Sequence, residues 1–313
     1  MGLQIGIDIG GNSAKIGVVD DDFRIVRHET IRTYLGKPLE ETAEELAVII
    51  NSISAEYDNE INAVGFGVPS SIEPKHHRIV HANNLGWLNA DLLGEFAKYC
   101  SIPAYVGNDA DCAVIAESLC GSARGMKNVL LITLGTGVGG GLIQDGKLFL
   151  GGNGCGFEPG HMIIQKDQGI PCTCGRVGCL DAYGSARWII HEIEQRQNES
   201  AVLQKLIEEN DGRIEAKLMF DAVNREDPAA QEIFDYYLHS LAVGISNIIT
   251  ILRPEVVVLG GGVSKAGAQL FDPLRKLVRS MTYGIEVMGC PEIIPAALEN
   301  EAGIIGAAML YKM

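Results

Sequence analysis

His161, Cys172, Cys174 and Cys179 stand in the spacing H-x10-C-x-C-x4-C. Four soft and borderline ligands this close in sequence suit tetrahedral Zn2+. A closed Cys3His set leaves no position open for water, so such a metal would be structural. Gly175 and Gly178 allow a tight knuckle that brings Cys174 and Cys179 together. A second kind of chemistry is written in glycine. Asp8-Ile9-Gly10-Gly11-Asn12-Ser13 puts a carboxylate at the end of an apolar run, which is costly unless a cation or donors meet it. Gly10 and Gly11 let the turn come close to a ligand and aim N–H groups at phosphate oxygens, though an ordinary hairpin turn would look the same. Leu134-Gly135-Thr136-Gly137-Val138-Gly139-Gly140-Gly141 is neither a dinucleotide fingerprint, since a hairpin follows it rather than a helix, nor a Walker loop, since no Lys-Ser/Thr closes it. It can still cradle phosphates through backbone N–H groups. Gly260-Gly261-Gly262, after a buried strand, is a third close-approach site and suits a nucleoside. Three such turns at strand ends point to a nucleotide.

Other residues say less alone. Asp109 follows a strand at a helix start, where a helix cap is the ordinary role. Glu158, three residues before His161, is by itself a loop acid. Trp87 reads either as packing or as a sugar platform. His76, His77 and His81 lie in a polar segment and need no special role. Cys100, Cys112, Cys120, Cys155 and Cys290 read as core thiols.

The elements that must position these groups follow from periodicity. Residues 3–9, 14–20 and 23–28 read as an antiparallel meander, 39–57 as a helix, and 61–68 as a strand ending at Pro69. A short helix at 91–99 and a strand at 102–107 lead to an Asn108–Asp109 cap and a helix over 110–120. A strand at 128–134 then enters the second glycine turn, and a hairpin follows with Asp145-Gly146 as its type I′ signal. Residues 185–252 read as mostly helical, with Pro228 opening the longest helix. A strand at 255–259, a helix at 266–280, a strand at 292–296 and a helix at 301–312 complete the chain. A shift of 125 residues lays Ile9-Gly10 on Leu134-Gly135, Val18 on Ile143 and Asp20 on Asp145. That repeat predicts a duplicated α/β domain with a cleft between the copies.

The chain has 313 residues, enough for two domains and a core without disulfide staples. Forty acidic against 25 basic residues give a net charge of -15, which argues against nucleic acid and anionic membranes as partners. The 38 glycines, roughly 12% against a typical ~7%, are clustered and need a local reason. No apolar run reaches the ~18 residues that span a bilayer, and the N-terminus lacks the pattern of a signal peptide. The eight cysteines are therefore expected as thiols or metal ligands in the cytoplasm.

Taken together, DIGG at 8–11, Asn84 with GW at 86–87, NDA at 108–110, LGTGVGGG at 134–141, GGNGCGFEPGH at 151–161, CTCGRVGC at 172–179, VVLGGGVS at 257–264 and AGIIGAA at 302–308 resemble the ROK family of sugar kinases and related proteins, within the actin-like ATPase superfamily. The Glu-x-x-His loop followed by the cysteine knuckle is the most specific part. The resemblance implies a two-lobed, duplicated ribonuclease H-like α/β fold with an active-site cleft between the lobes. The first lobe would hold 1–115 and about 300–313. The second would hold 116–299, with the knuckle at 161–179. It implies ATP, Mg2+ and structural Zn2+ as cofactors, and a homodimer or homotetramer. Asp109 then looks like the base that takes the proton from a sugar 6-hydroxyl. Asn84, Asn108, Glu158 and His161 look like sugar ligands, and Asp8 like the residue that holds Mg2+ through water. Gly10, Gly11, Asn12, Thr136 and Gly137 lie where phosphates would bind, and Gly261 and Gly262 where adenosine would. Two positions depart from the family's pattern. Asn12 stands where Thr is usual after DIGG, and Asp181 stands where a sugar-contacting Glu is usual.

The implied activity is a glucokinase-type transfer from Mg·ATP to a hexose. An N-acetylmannosamine or N-acetylglucosamine kinase is the alternative, and a catalytically weak sugar-binding protein a further one. Repressors of the family carry a helix-turn-helix before the first strand, and a strand at residue 3 leaves no room for one.

Overall fold

The three leading apolar segments form the expected meander in a computed structural model of the chain, which describes residues 2–313. β1 (Leu3–Ile9) turns into β2 (Ser13–Val19), and β2 pairs antiparallel with β3 (Ile25–Arg32). Ile5, Ile7 and Ile9 are fully buried, whereas β3 alternates half-buried and exposed, as an edge strand with one wet face should. α1 (Leu39–Glu56) follows, with Ala43, Leu46, Ala47, Ile50 and Ile53 on its buried stripe. β4 (Ile61–Val68) joins β1 in parallel register. A small sheet of β5 (Ile72–Glu73), β6 (Arg78–Ala82) and β7 (Trp87–Ala90) comes next, then α2 (Leu92–Phe96). β8 (Ala104–Asn108) pairs with β4 in parallel and runs straight into α3 (Asp109–Leu119).

The pattern then repeats. β9 (Val129–Leu134), β10 (Val138–Gln144) and β11 (Lys147–Leu148) form the second meander. Asp145 and Gly146 both take positive φ, 51° and 77°, as a type I′ turn requires. A helical stretch holds α4 (Asp181–Gly184), α5 (Ala186–Arg196), α6 (Ala201–Glu209), α7 (Lys217–Val223) and the long α8 (Pro228–Leu252). Pro228 sits in the first turn of α8, and Asp227 caps it by accepting the Ala230 N–H at 2.8 Å. β12 (Val256–Gly260), α9 (Ala268–Met281), α10 (Ile285–Met288), β13 (Glu292–Pro295) and α11 (Ala302–Ala308) end the chain.

The two large sheets have the same strand order, β3-β2-β1-β4-β8 and β11-β10-β9-β12-β13. The 125-residue repeat is thus a repeat of topology. The chain divides into two compact units. The first is Met1–Val129, Gly141–Phe157 and Ala297–Met313, and the second is Leu130–Gly140 and Glu158–Ala296. Among the described residues no helix is long and apolar enough to cross a membrane.

Three details differ from the sequence reading. The sheet β5-β6-β7 was not foreseen, because strands of two to five residues are too short to show a period. The C-terminal helix stops at Ala308 and gives way to a 3-10 turn at Leu310–Lys312. Cys100 and Cys112 are buried, but Cys120, Cys155 and Cys290 are only partly so.

Candidate functional site

In the first unit the chemistry gathers at the ends of β1 and β8. Thr33 donates its hydroxyl to the Gly10 carbonyl at 2.6 Å, and the Gly10 N–H reaches the Ser13 carbonyl at 2.8 Å, so the turn is fixed from both sides. A Cβ on Gly11 would lie 2.9 Å from the Asn84 Cβ, so this turn and Asn84 are in close contact. Asn12 and Asn84 are exposed. Asp8 is partly buried, with Lys15 Nζ 4.0 Å from its Oδ2. Burial pushes its carboxyl above the usual range and Lys15 pulls it down. A further cation beside Asp8 would act in the same direction as Lys15.

At the β8–α3 junction the two adjacent polar residues separate in role. Asn108 is the helix cap. Its Oδ1 accepts the N–H groups of Ala110 at 2.8 Å and Asp111 at 3.2 Å, and its Nδ2 donates to the Ser70 carbonyl at 3.3 Å. Asp109 is the first helical residue and is exposed, with its Oδ1 2.8 Å from the Ala110 N–H. Trp87 settles as packing. It is 5% exposed and donates its ring N–H to the Lys37 carbonyl.

In the second unit the Gly135–Gly137 turn closes on itself through Gly135 N–H to the Gly137 carbonyl at 3.0 Å, leaving Thr136 exposed. Gly261 turns at φ 86°, and Gly262 joins Gly135 and Thr136 in the wall of a cavity of about 690 Å3. Ala216, Lys217, Phe220 and Asp221 form much of the rest. Sequence reasoning missed these four. They carry no motif, and only the packing of α7 brings them there. Gln269 also lines the cavity and bonds the Phe220 carbonyl at 3.0 Å.

Glu158 is exposed at the start of the 3-10 turn Pro159–His161. A Cβ on Gly160 would fall 2.0 Å from the Val138 carbonyl, so this turn is seated directly on β10. His161, Cys172, Cys174 and Cys179 converge, with their four donor atoms within 4.8 Å of one another. Cys174 and Cys179 sulfurs are 3.7 Å apart, and so are Cys172 Sγ and His161 Nδ1. Sulfurs at ~2.3 Å from a tetrahedral zinc would be roughly 3.8 Å apart, so the donors fit. Burial and the two neighbouring thiols push Cys179 up to about 12. Gly175 and Gly178, at φ 84° and 86°, make the bends of the knuckle.

Asp181, expected among the substrate contacts, is 5% exposed and has both carboxylate oxygens bonded within the protein. Oδ1 accepts the Val138 N–H at 2.8 Å and Oδ2 accepts from Arg187 at 2.7 Å.

The sequence profile of the ROK family matches residues 4–313. The chain belongs to the ROK family. This ROK protein is 34% identical over 311 residues to the glucokinase of Thermotoga maritima, covering 98% of this chain and 96% of that one. It is 28% identical to the N-acetyl-D-glucosamine kinase of Vibrio atlanticus, over 98% and 99% of the two chains. Among solved structures, the ROK family glucokinase of Streptomyces griseus in complex with glucose and AMPPNP superposes with a TM-score of 0.82 at 33% identity, over 99% of each chain. The actin-like two-part α/β architecture of the ROK sugar kinases is therefore the fold of this protein.

Proposed function

We propose that this protein transfers the γ-phosphoryl group of ATP to the 6-hydroxyl of a hexose, with glucose the preferred acceptor. The observation that carries this reading is its end-to-end similarity to glucokinases, one of them solved with glucose and an ATP analogue. Phosphoryl transfer asks little covalent chemistry of a protein and much positioning. In the first unit, Asp109 takes the proton from the attacking hydroxyl, and Asn84 and the remaining N–H of Asn108 bind sugar hydroxyls. Asp8 holds the Mg2+ of Mg·ATP through water, and the turn at Gly10, Gly11 and Asn12 meets phosphate. In the second unit, Glu158 and His161 bind sugar hydroxyls, and Thr136 and Gly137 bind phosphate. The cavity beside Gly261 and Gly262 takes the adenosine. Mg2+, when bound, neutralises charge on the phosphates.

Zinc fits the His161, Cys172, Cys174 and Cys179 donors. With Nδ1 facing the sulfurs, the other ring nitrogen of His161 is left to a substrate hydroxyl, and the metal fixes the ring that makes that contact. None of the eight cysteines is in a disulfide, which suits a cytoplasmic reaction.

A panel of hexoses and N-acetylhexosamines in an ADP-release assay tests the proposal. Glucose is expected to give the highest kcat/KM. Highest turnover of an N-acetylhexosamine would move the substrate to the amino sugars, and no ADP release with any sugar would overturn the kinase reading. Chelation is expected to release about one zinc per chain and to lower the melting temperature. A metal-free protein with unchanged melting would refute the zinc assignment.

A further inference from the structure

We infer that Asp181 is a positioning residue that holds the Gly135–Gly137 turn, and is not a sugar contact. It lies two residues after Cys179, at the first position of α4, with its carboxylate almost wholly buried. Each oxygen faces a different structure. Oδ1 accepts the N–H of Val138, the residue that follows the turn, at 2.8 Å. Oδ2 lies 3.8 Å from Cys172 Sγ, one of the knuckle's four donors, and accepts from the Arg187 guanidinium at 2.7 Å. A Cβ on Gly137 would lie 2.6 Å from Oδ1, so the turn rests on the carboxylate itself. The other end of the turn is held by the same segment, because the Ala186 N–H donates to the Gly135 carbonyl at 2.8 Å. Residues 181–187 thus grip the turn at both ends, and Gly135, Thr136 and Ala186 line the nucleotide cavity.

The residue type matters here. A Glu would carry its carboxylate about 1.5 Å further from the backbone, beyond the place where Oδ1 meets the Val138 N–H. The shorter side chain gives up reach toward a sugar and gains two charge-assisted hydrogen bonds inside the protein.

The inference rests on the reading of the Gly135–Gly137 turn as a nucleotide phosphate site. Calorimetric titration with Mg·AMPPNP, and separately with glucose, tests it on wild type, Asp181→Asn and Arg187→Gln, with zinc content measured on each. Asp181→Asn is expected to lower nucleotide affinity about 10- to 100-fold, the range for losing a charge-assisted hydrogen bond, and to leave glucose affinity within about twofold. Arg187→Gln, at a half-exposed side chain, is expected to shift nucleotide affinity the same way by a smaller factor. Zinc content is expected to stay at that of the wild type. Loss of glucose affinity with nucleotide affinity intact would make Asp181 a sugar contact and overturn the inference. Unchanged affinities for both ligands would overturn it too. A wild type that binds glucose but no nucleotide would fail the underlying reading as well, and that result is distinct from wild type and variant binding nucleotide equally.

Discussion

Asp109→Asn is expected to lower kcat by a factor of about 10² to 10⁴, the usual contribution of a positioned base, while nucleotide and sugar affinities stay near those of the wild type. The substitution is clean because the two neighbouring residues at the head of α3 have separate jobs. Asn108 holds the helix end through the N–H groups of Ala110 and Asp111. Asp109 is exposed and is not the cap. Asparagine keeps its shape and can keep the contact with the Ala110 N–H, but it cannot take a proton. The helix loses one acidic residue from its first turn, a cost of about 0.3–1 kcal/mol, with Asp111 still there to complement the dipole. The melting temperature should therefore fall by no more than about 4 °C. Single-turnover kinetics with saturating Mg·ATP and glucose would measure the chemical step. A variant that retains full turnover would remove Asp109 from the mechanism.

The junction also shows what could be read from the residues alone. The pair Asn108–Asp109 was legible as a helix start, because polar residues with short oxygen-bearing side chains belong there, but which of the two capped was not. Capping depends on one backbone angle, and Asn108, at ψ 147°, is still in the strand. The glycine turns and the His161, Cys172, Cys174 and Cys179 cluster are legible because each is local in sequence. The topology repeat was legible because a strand-turn-strand unit recurs. The partners of Asp181 are not legible, since only tertiary packing brings Val138 and Arg187 to its two oxygens. Trp87 was undecided for the same reason, since the Lys37 carbonyl that receives its N–H is fifty residues away in sequence. The α7 walls of the cavity beside Gly262 carry no signal, because an apolar-periodic helix looks alike whether it lines a core or a cavity.

Gly306→Ala is expected to destabilise the protein by about 3 kcal/mol or more, a melting shift of roughly 6–12 °C for a unit of this size. The reason is a backbone-to-backbone packing that no side-chain movement can relieve. A Cβ at 306 would stand 1.7 Å from the Cys112 carbonyl oxygen and 2.7 Å from the Cys112 Cα, both in the backbone of α3. The same helix, α11, is pressed on the sheet from its other side. Cβ atoms at Gly6 on β1 and Gly65 on β4 would each fall 1.8 Å from a carbonyl of α11, those of Ile304 and Ala307. Helix α11 is thus wedged between sheet and helix with glycine at each close contact. An added methyl must push it off one of them. Gly152→Ala is the control, since nothing lies within 4 Å of a Cβ there, and its melting should be unchanged. Activity should fall with Gly306→Ala as well. Asp109 stands at the head of α3, the helix that α11 would be pushed against, and a Cβ on Gly303 of α11 would lie 2.8 Å from the Asp8 carboxyl carbon. The two carboxylates assigned to base and cation are therefore positioned by one short glycine-rich helix. If Gly306→Ala melts like the wild type, that wedge is not what holds them.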